Sequence, residues 1–299
     1  MTQPLLTVLM TVYNDDGYLP TAIESILSQT YSNFKFLILD DCSTDDSPRR
    51  VESYRDPRIE LVRLPKNVGQ TAALNIGLKR ACTPWIARMD ADDYSAPGRF
   101  EEQMKALERF PDVRCVGTAV WEFRDDPRIV EGIVKRPESA DEIRQAALLG
   151  RGLIHGSIVI GREALLDVGG YDERYRYASD RELFIRFLKK YRAINLSEAL
   201  LGIRRHPGQD SFSKQAADEY IDIFLRLLAG GDYSGAEQEI LRDGLSYSYL
   251  FRANYFRSRG EYADWMKDIL YSFRASPPRA IRTLGGQALR GISGKAKWN

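Results

Sequence analysis

Apolar runs and helical periodicities alternate over the first 120 residues. Leu5–Val12 is apolar and β-prone, and Asn14-Asp15-Asp16-Gly17 breaks it. From Leu19 to Leu27 the apolar residues Leu19, Ile23, Ile26 and Leu27 recur at helical spacing. Phe34–Leu39 predicts a second strand, cut off by Asp40-Asp41, and Ile59–Leu64 a third. Ala72–Ala81 predicts a helix with Ala73, Leu74, Gly77, Leu78 and Ala81 on one side. Trp85–Met89 predicts a fourth strand, followed at once by Asp90-Ala91-Asp92-Asp93. Phe100–Leu107 is helical again, and Val113–Val120 predicts a fifth strand.

Strands that alternate with helices imply βαβ units, an α/β fold and a mostly parallel sheet. Ligands of such sheets bind outside the carboxyl ends of the strands. The polar residues gather there. Tyr13-Asn14-Asp15 follows strand one, Asp40-Asp41 follows strand two and Asp90-Ala91-Asp92 follows strand four. Three loops are thus expected to converge on one crevice.

Further on, Glu138–Leu149 predicts a helix, Ile154–Ile160 a strand, and Glu163–Val168 a short helix ended by Gly169-Gly170. Arg181–Lys190 predicts a helix with Leu183, Phe184, Phe187 and Leu188 on one face. After Lys214 the strands stop. Tyr220–Leu228, Gln238–Leu245 and Tyr262–Phe273 are helical patterns, punctuated by Gly230-Gly231 and Pro277-Pro278. The expected organisation is an α/β domain over 1–213 and a helical appendage over 214–299.

Composition narrows the function. The 299 residues carry 43 Lys+Arg against 42 Asp+Glu, a net charge of +1. That balance lacks the surplus positive charge a nucleic-acid binder needs. No apolar stretch is long enough for a transmembrane helix. Met1–Pro4 does not open a signal peptide, and Cys42, Cys82 and Cys115 are too few and too scattered for a disulfide framework. These features lead to the expectation of a cytoplasmic protein. The charge is uneven, however. Arg274–Asn299 holds six basic residues (Arg274, Arg279, Arg282, Arg290, Lys295, Lys297) and no acid, with Leu284, Ala288, Leu289 and Ile292 available for an opposite face. This tail is either a solvated helix or a peripheral contact with the inner membrane face.

Asp90-Ala91-Asp92 carries the central chemistry. Two carboxylates one residue apart at a strand end can reach one hard cation, and Mg²⁺ or Mn²⁺ so held can bridge to a diphosphate. The competing reading is an acidic turn. In Asp40-Asp41-Cys42-Ser43-Thr44-Asp45-Asp46, Asp45 or Asp46 is expected to cap a helix, and Asp40 or Asp41 to bind a base or ribose. Asp180, just ahead of a helix, reads by physics alone as an N-cap more readily than as a general base. His155 and His206 are the only histidines. His206 suits a metal or phosphate and, equally, a structural hydrogen bond; His155 reads as structural or acceptor-side. G-x-x-x-x-G-K-[ST], G-x-G-x-x-G after strand one and G-x-S-x-G are all missing from the sequence.

In these segments the sequence resembles the family 2 glycosyltransferases of the GT-A fold. The likeness runs through Thr7–Asn14, Ser25–Tyr31, Leu39–Asp45, Asn67-Val68-Gly69, Ala73-Leu74-Asn75 and Met89–Asp93. It continues in His155-Gly156-Ser157, Gly169–Asp172 and Arg205-His206-Pro207-Gly208, so it covers residues 5–213. The resemblance implies an inverting transfer of sugar from a nucleotide-diphosphate sugar to a glycan or lipid-linked acceptor, in cell-surface polysaccharide or glycolipid synthesis. It implies that Thr11, Tyr13 and Asp41 hold the base with Asp40 in support, and that Asp90 faces the ribose. Asp93 is expected at the metal or sugar, and Asp15 and Asn75 complete the donor-binding set. Asp92 and His206 are the expected metal ligands, for Mn²⁺ or Mg²⁺. Asp180 becomes the catalytic base. Two departures stand out: Ser179-Asp180 where the family often has Glu-Asp, and Cys42 where glycine is usual. A nucleotide-sugar pyrophosphorylase and a non-catalytic scaffold are the competing readings.

Overall fold

The fold is seen in a computed structural model that describes residues 3–15, 17–206 and 213–292, with side chains through residue 284. Two units divide the chain, Met1–Gln209 and Asp210–Asn299.

In the first unit β1 (Leu6–Val12) is buried along its whole length. It is followed by α1 (Leu19–Leu27), β2 (Phe34–Asp40), α2 (Ser47–Ser53), β3 (Ile59–Arg63), α3 (Gln70–Arg80) and β4 (Trp85–Met89). These four strands are parallel, in the spatial order β3-β2-β1-β4. Register is what builds the site. Val12 pairs with Asp40 and Met10 with Met89, so all three polar loops leave the sheet at one end.

Beyond β4 the sheet turns mixed. After β5 (Tyr94–Ser95), α4 (Arg99–Arg109), β6 (Val113–Phe123), β7 (Gly132–Val134) and α5 (Ala140–Ala147) come β8 (Val159–Gly161), α6 (Arg162–Asp167), α7 (Ser179–Leu188) and β9 (Arg192–Arg204). The order continues β8-β6-β9-β5, with β7 on β6. β8 is antiparallel to both neighbours, and β6 and β9 are parallel. The two faces of β1 feed two cores. Leu6, Val8, Met10 and Val12 pack with Ile23 and Ile26 of α1 and Phe100 of α4. Leu9 packs with Leu74 and Leu78 of α3 and Phe187 of α7. A strand covered on both faces reads as a continuous apolar run, which is why the periodicity of Leu5–Val12 is so plain.

The expected strand over 154–160 is only half realised. His155–Ser157 forms a 3₁₀ turn, and the strand begins at Val159. The reason is local. A Cβ on Gly156 would lie 3.1 Å from an Asp90 carboxylate oxygen, so the chain passes against the strand-four loop instead of pairing.

The second unit is helical: α8 (Lys214–Gly230), α9 (Gly235–Ser258), α10 (Tyr262–Ala275) and α11 (Pro277–Ile292). Ser213 caps α8 through the Ala216 amide, and Ser234 with Glu237 forms a capping box on α9. The helix expected over 238–245 lies in the first half of a 24-residue element. Beyond Leu245 its buried side mixes Ser246 and Ser248 with Leu250, Ala253 and Phe256, which blurs the apolar period. Ser246 and Ser272 share a hydrogen bond of 2.8 Å, and Arg252 grips Asp268 with two bonds of 2.8 Å. Of the basic tail, α11 reaches residue 292. The side chains of Ala288, Leu289, Arg290 and Ile292, and all of Lys295 and Lys297, lie outside the described residues.

Candidate active site at the strand ends

The acidic centre rests on buried cations. Arg88 points inward from β4, only 1% exposed, and its Nη2 donates to Asp90 Oδ1 at 2.6 Å while Nη1 meets the Met89 carbonyl. Arg99, fully buried at the start of α4, donates to the Arg88 carbonyl at 2.9 Å. Burial pulls the Arg99 guanidinium down to about 9, with Arg88 adding to the pull and Asp93 opposing it. Sequence reasoning missed both. An arginine inside the apolar run Trp85–Met89 was the available signal, because a buried charge demands a partner.

Above them the carboxylates crowd. Asp92 Oδ2 lies 3.0 Å from His206 Nε2. Asp93 is buried and accepts from the Arg204 amide at 3.0 Å. Burial first, then Asp90, raises the Asp92 carboxyl; burial, then Asp92 and Asp90, raises Asp93 well above the aspartate range. Asp15, from the loop after β1, is pushed to about 6 by burial and by Asp92 and Asp90. Asp15, Asp90, Asp92, Asp93 and His206 therefore share one pocket of negative charge. Tyr18 closes its side, with its ring 4.9 Å from His206 and under the Arg204 guanidinium at 4.8 Å. Tyr18 was not among the expected residues. It sits where a helix start hides it among ordinary apolar positions.

The nucleotide-side expectations separate. Thr11 Oγ1 and Asp40 Oδ2 are buried without hydrogen-bond partners among the described residues, although Asp40 lies 3.6 Å from Arg63 Nε. Their strand positions differ by one residue in register, so the two side chains leave opposite faces of the sheet. Asp41 accepts from the Val68 and Gly69 amides at 2.7 and 2.8 Å and so holds the loop before α3. Tyr13 is 48% exposed at the mouth. Asp46 holds the N-cap position of α2 without a side-chain cap bond, and Asp45, one residue earlier, accepts from the Ser47 amide at 3.0 Å, so neither caps the helix as expected. Asn75 donates to the Tyr171 carbonyl and to Glu173, and accepts from the Tyr171 amide, so it pins the 171–173 loop. Cys42 sits at φ 64°, the left-handed conformation in which glycine is at ease. The turn is kept, and the cysteine bears its strain.

Asp180 does not cap α7. Ala178 holds the N-cap position, and Asp180 lies in the first turn, where its Oδ1 accepts from the Arg181 amide at 2.7 Å. Beside it, His155 Nε2 and the Tyr171 hydroxyl are 2.8 Å apart. Burial, then Arg88, drives His155 down to about 4, while Asp180 and Asp90 pull the other way. Both ends of the pocket are thus felt at this pair. His155 is neutral at physiological pH.

No group of three or more His, Cys, Asp or Glu among the described residues is arranged to hold a metal ion. The donor set nevertheless suits one. An oxygen and an imidazole nitrogen face each other at 3.0 Å within an excess of negative charge. A hard divalent cation accepts such a partial set and takes its remaining ligands from water or phosphate.

The family model described as "Glycosyl transferase family 2" matches residues 7–169. A Bacillus subtilis protein named as a glycosyltransferase, EpsE, is 34% identical over 227 residues, covering 73% of this chain and 79% of its own. The amylovoran biosynthesis glycosyltransferase AmsE of Erwinia amylovora is 30% identical over 228 residues, covering 75% and 84%. Among solved structures, TarS of S. aureus in complex with UDP-GlcNAc superposes with a TM-score of 0.72 at 20% identity, over 92% of this chain and 82% of that one. The mannosyltransferase PcManGT of Pyrobaculum calidifontis, in complex with GDP-Man and Mn²⁺, gives 0.64 at 21% identity, over 97% and 81%. The architecture is that of GT-A glycosyltransferases.

Proposed function

The chain belongs to glycosyl transferase family 2, and from that premise we propose that it performs an inverting transfer from a nucleotide-diphosphate sugar to an acceptor hydroxyl in cell-surface polysaccharide synthesis. The observation that carries the reading is the pocket of Asp15, Asp90, Asp92 and Asp93. Three of these carboxyls are held above their ordinary range by burial and by one another. Such a site is short of positive charge.

Asp92 and His206 would hold Mn²⁺ or Mg²⁺. The ion, when bound, supplies positive charge for the diphosphate. The orphaned Thr11 Oγ1 and exposed Tyr13 take the base, and the Asp41 loop shapes their surroundings. Asp90, anchored by Arg88, faces the ribose. Asp180 takes the proton of the acceptor hydroxyl as that oxygen attacks the anomeric carbon from the face opposite the diphosphate. No covalent enzyme intermediate is needed. The name of AmsE supports a polysaccharide product. The acceptor is a glycan or a lipid-linked glycan, reached from the cytoplasm.

The decisive experiment is Asp180→Asn. Transfer should fall about 10²–10⁴-fold, the usual worth of a general base, while nucleotide-sugar binding measured by calorimetry is unchanged. Equal transfer by the variant would remove Asp180 from the mechanism.

A further inference from the structure

We propose that the exposed face of α10 docks the protein on an anionic lipid surface. The proposal goes beyond the transfer reaction and does not rest on it.

The helix is inside-out by ordinary packing rules. The side it buries carries Asp268 and Ser272, held by Arg252 and Ser246 of α9. Its apolar residues lie elsewhere. Tyr262, Met266 and Leu270 are 63, 65 and 51% exposed, and Trp265, Ile269 and Phe273 are only partly covered. At 3.6 residues per turn these six fall on one stripe along the helix. A continuous apolar stripe of this length facing water is a recognition surface, not scattered exposure.

Charge selects the occupant. Lys267 and Arg274, both exposed, lie along one edge of the stripe. From Glu261 to Asn299 the sequence holds seven basic residues and three acids. Glu261 and Asp264 lie at the start of α10, and Asp268 is 2% exposed and paired with Arg252. In α11, Ile281 is also 61% exposed, next in sequence to the exposed Arg282. A second copy of the same surface would set positive charge against positive charge in a two-fold interface. An anionic bilayer instead meets the basic edge with phosphates and the stripe with acyl chains. Tyr262 and Trp265 are the aromatic types that settle at headgroup level. No described helix is long and apolar enough to cross a membrane, so the contact lies in the interface plane.

The test is flotation of the full chain with phosphatidylcholine vesicles, with and without about 30% phosphatidylglycerol, a fraction that sets up a negative surface potential. The wild type should float with the anionic vesicles and stay behind with the neutral ones, and added salt should release it. Met266→Glu with Leu270→Glu should cut the bound fraction at least about tenfold, since it places charge in the buried face. Lys267→Gln with Arg274→Gln should weaken binding by about fivefold for each charge removed. The replaced side chains are exposed, so circular dichroism and Tm should match the wild type. Failure of the wild type to float with anionic vesicles overturns the proposal, as does flotation of the Glu variant at wild-type level. A dimer that the same Glu substitutions dissociate, without vesicle binding, assigns the face to a second copy and overturns it too.

Discussion

Asp15 shows most directly what the pocket costs. Its carboxyl is raised to about 6 from the ordinary 3.8. A raised carboxyl favours the folded state fully below the unfolded pKa, and that contribution is lost as pH rises through 6. With chelator present, Asp15→Asn should therefore raise Tm by a few degrees at pH 7.5, about 1–2 kcal/mol after screening, and by nothing at pH 3.5. Thermal melts across that range check it; an equal gain at both ends would mean that charge is not the cause. His155 works in the opposite sense. Its neutral form is favoured, so it stabilises the fold above pH 6.5 and that stability drains away as pH falls toward 4. Cys42 bears backbone strain in place of charge. Cys42→Gly should gain about 0.5–1 kcal/mol in denaturant melts, less the extra freedom glycine has when unfolded.

Among the elements, β1 to β4 agree closely with the apolar pattern, because both faces of the central sheet are covered and burial leaves a plain trace, whereas α2, β5 and β7 were not expected from it, nor was the extent of β9. The second unit is less legible. α9 runs three times the length that its periodicity predicts, since Ser246, Ser248 and Arg252 occupy positions where apolar residues would be sought. Its contact with α8 is the more conventional one. A Cβ on Gly244 would lie 2.4 Å from the Phe224 ring, so the glycine sets the distance between the two helices. Gly244→Ala should destabilise this unit by about 1–3 kcal/mol in denaturant unfolding, although alanine is the better helix former. A gain in stability would show that the helices can separate freely.

At the scale of the molecule, a near-neutral chain is divided between an acidic crevice and a basic C-terminal stretch. Binding that neutralises the crevice must stabilise the fold. Mn²⁺ with a matching nucleotide diphosphate, at about 100 times its dissociation constant, should add about 2.7 kcal/mol and raise Tm by several degrees. Asp92→Ala should abolish the shift, and differential scanning fluorimetry across uridine, guanosine and thymidine diphosphates would identify the donor class. A shift retained in Asp92→Ala would exclude that carboxylate from the ion's ligands.

The linear pattern of residues determined a good deal: the strand–helix alternation, the end of the sheet at which the polar loops meet, and the acids gathered there. All three follow from local rules, namely that buried strands are apolar and that chain reversals at their ends are polar. What only the tertiary structure decided is which of the polar residues there are available. Asp41 and Asn75 spend their hydrogen bonds on neighbouring loops, Asp40 and Thr11 part to opposite faces, and Asp15 joins Asp92 from 77 positions away in the chain. The partners of Arg88 and Arg99 beneath the site, and the outward apolar stripe of α10, were likewise decided by packing. The physical reason is the same in each case. A side chain's partners depend on register and packing between distant segments, and no local period encodes them.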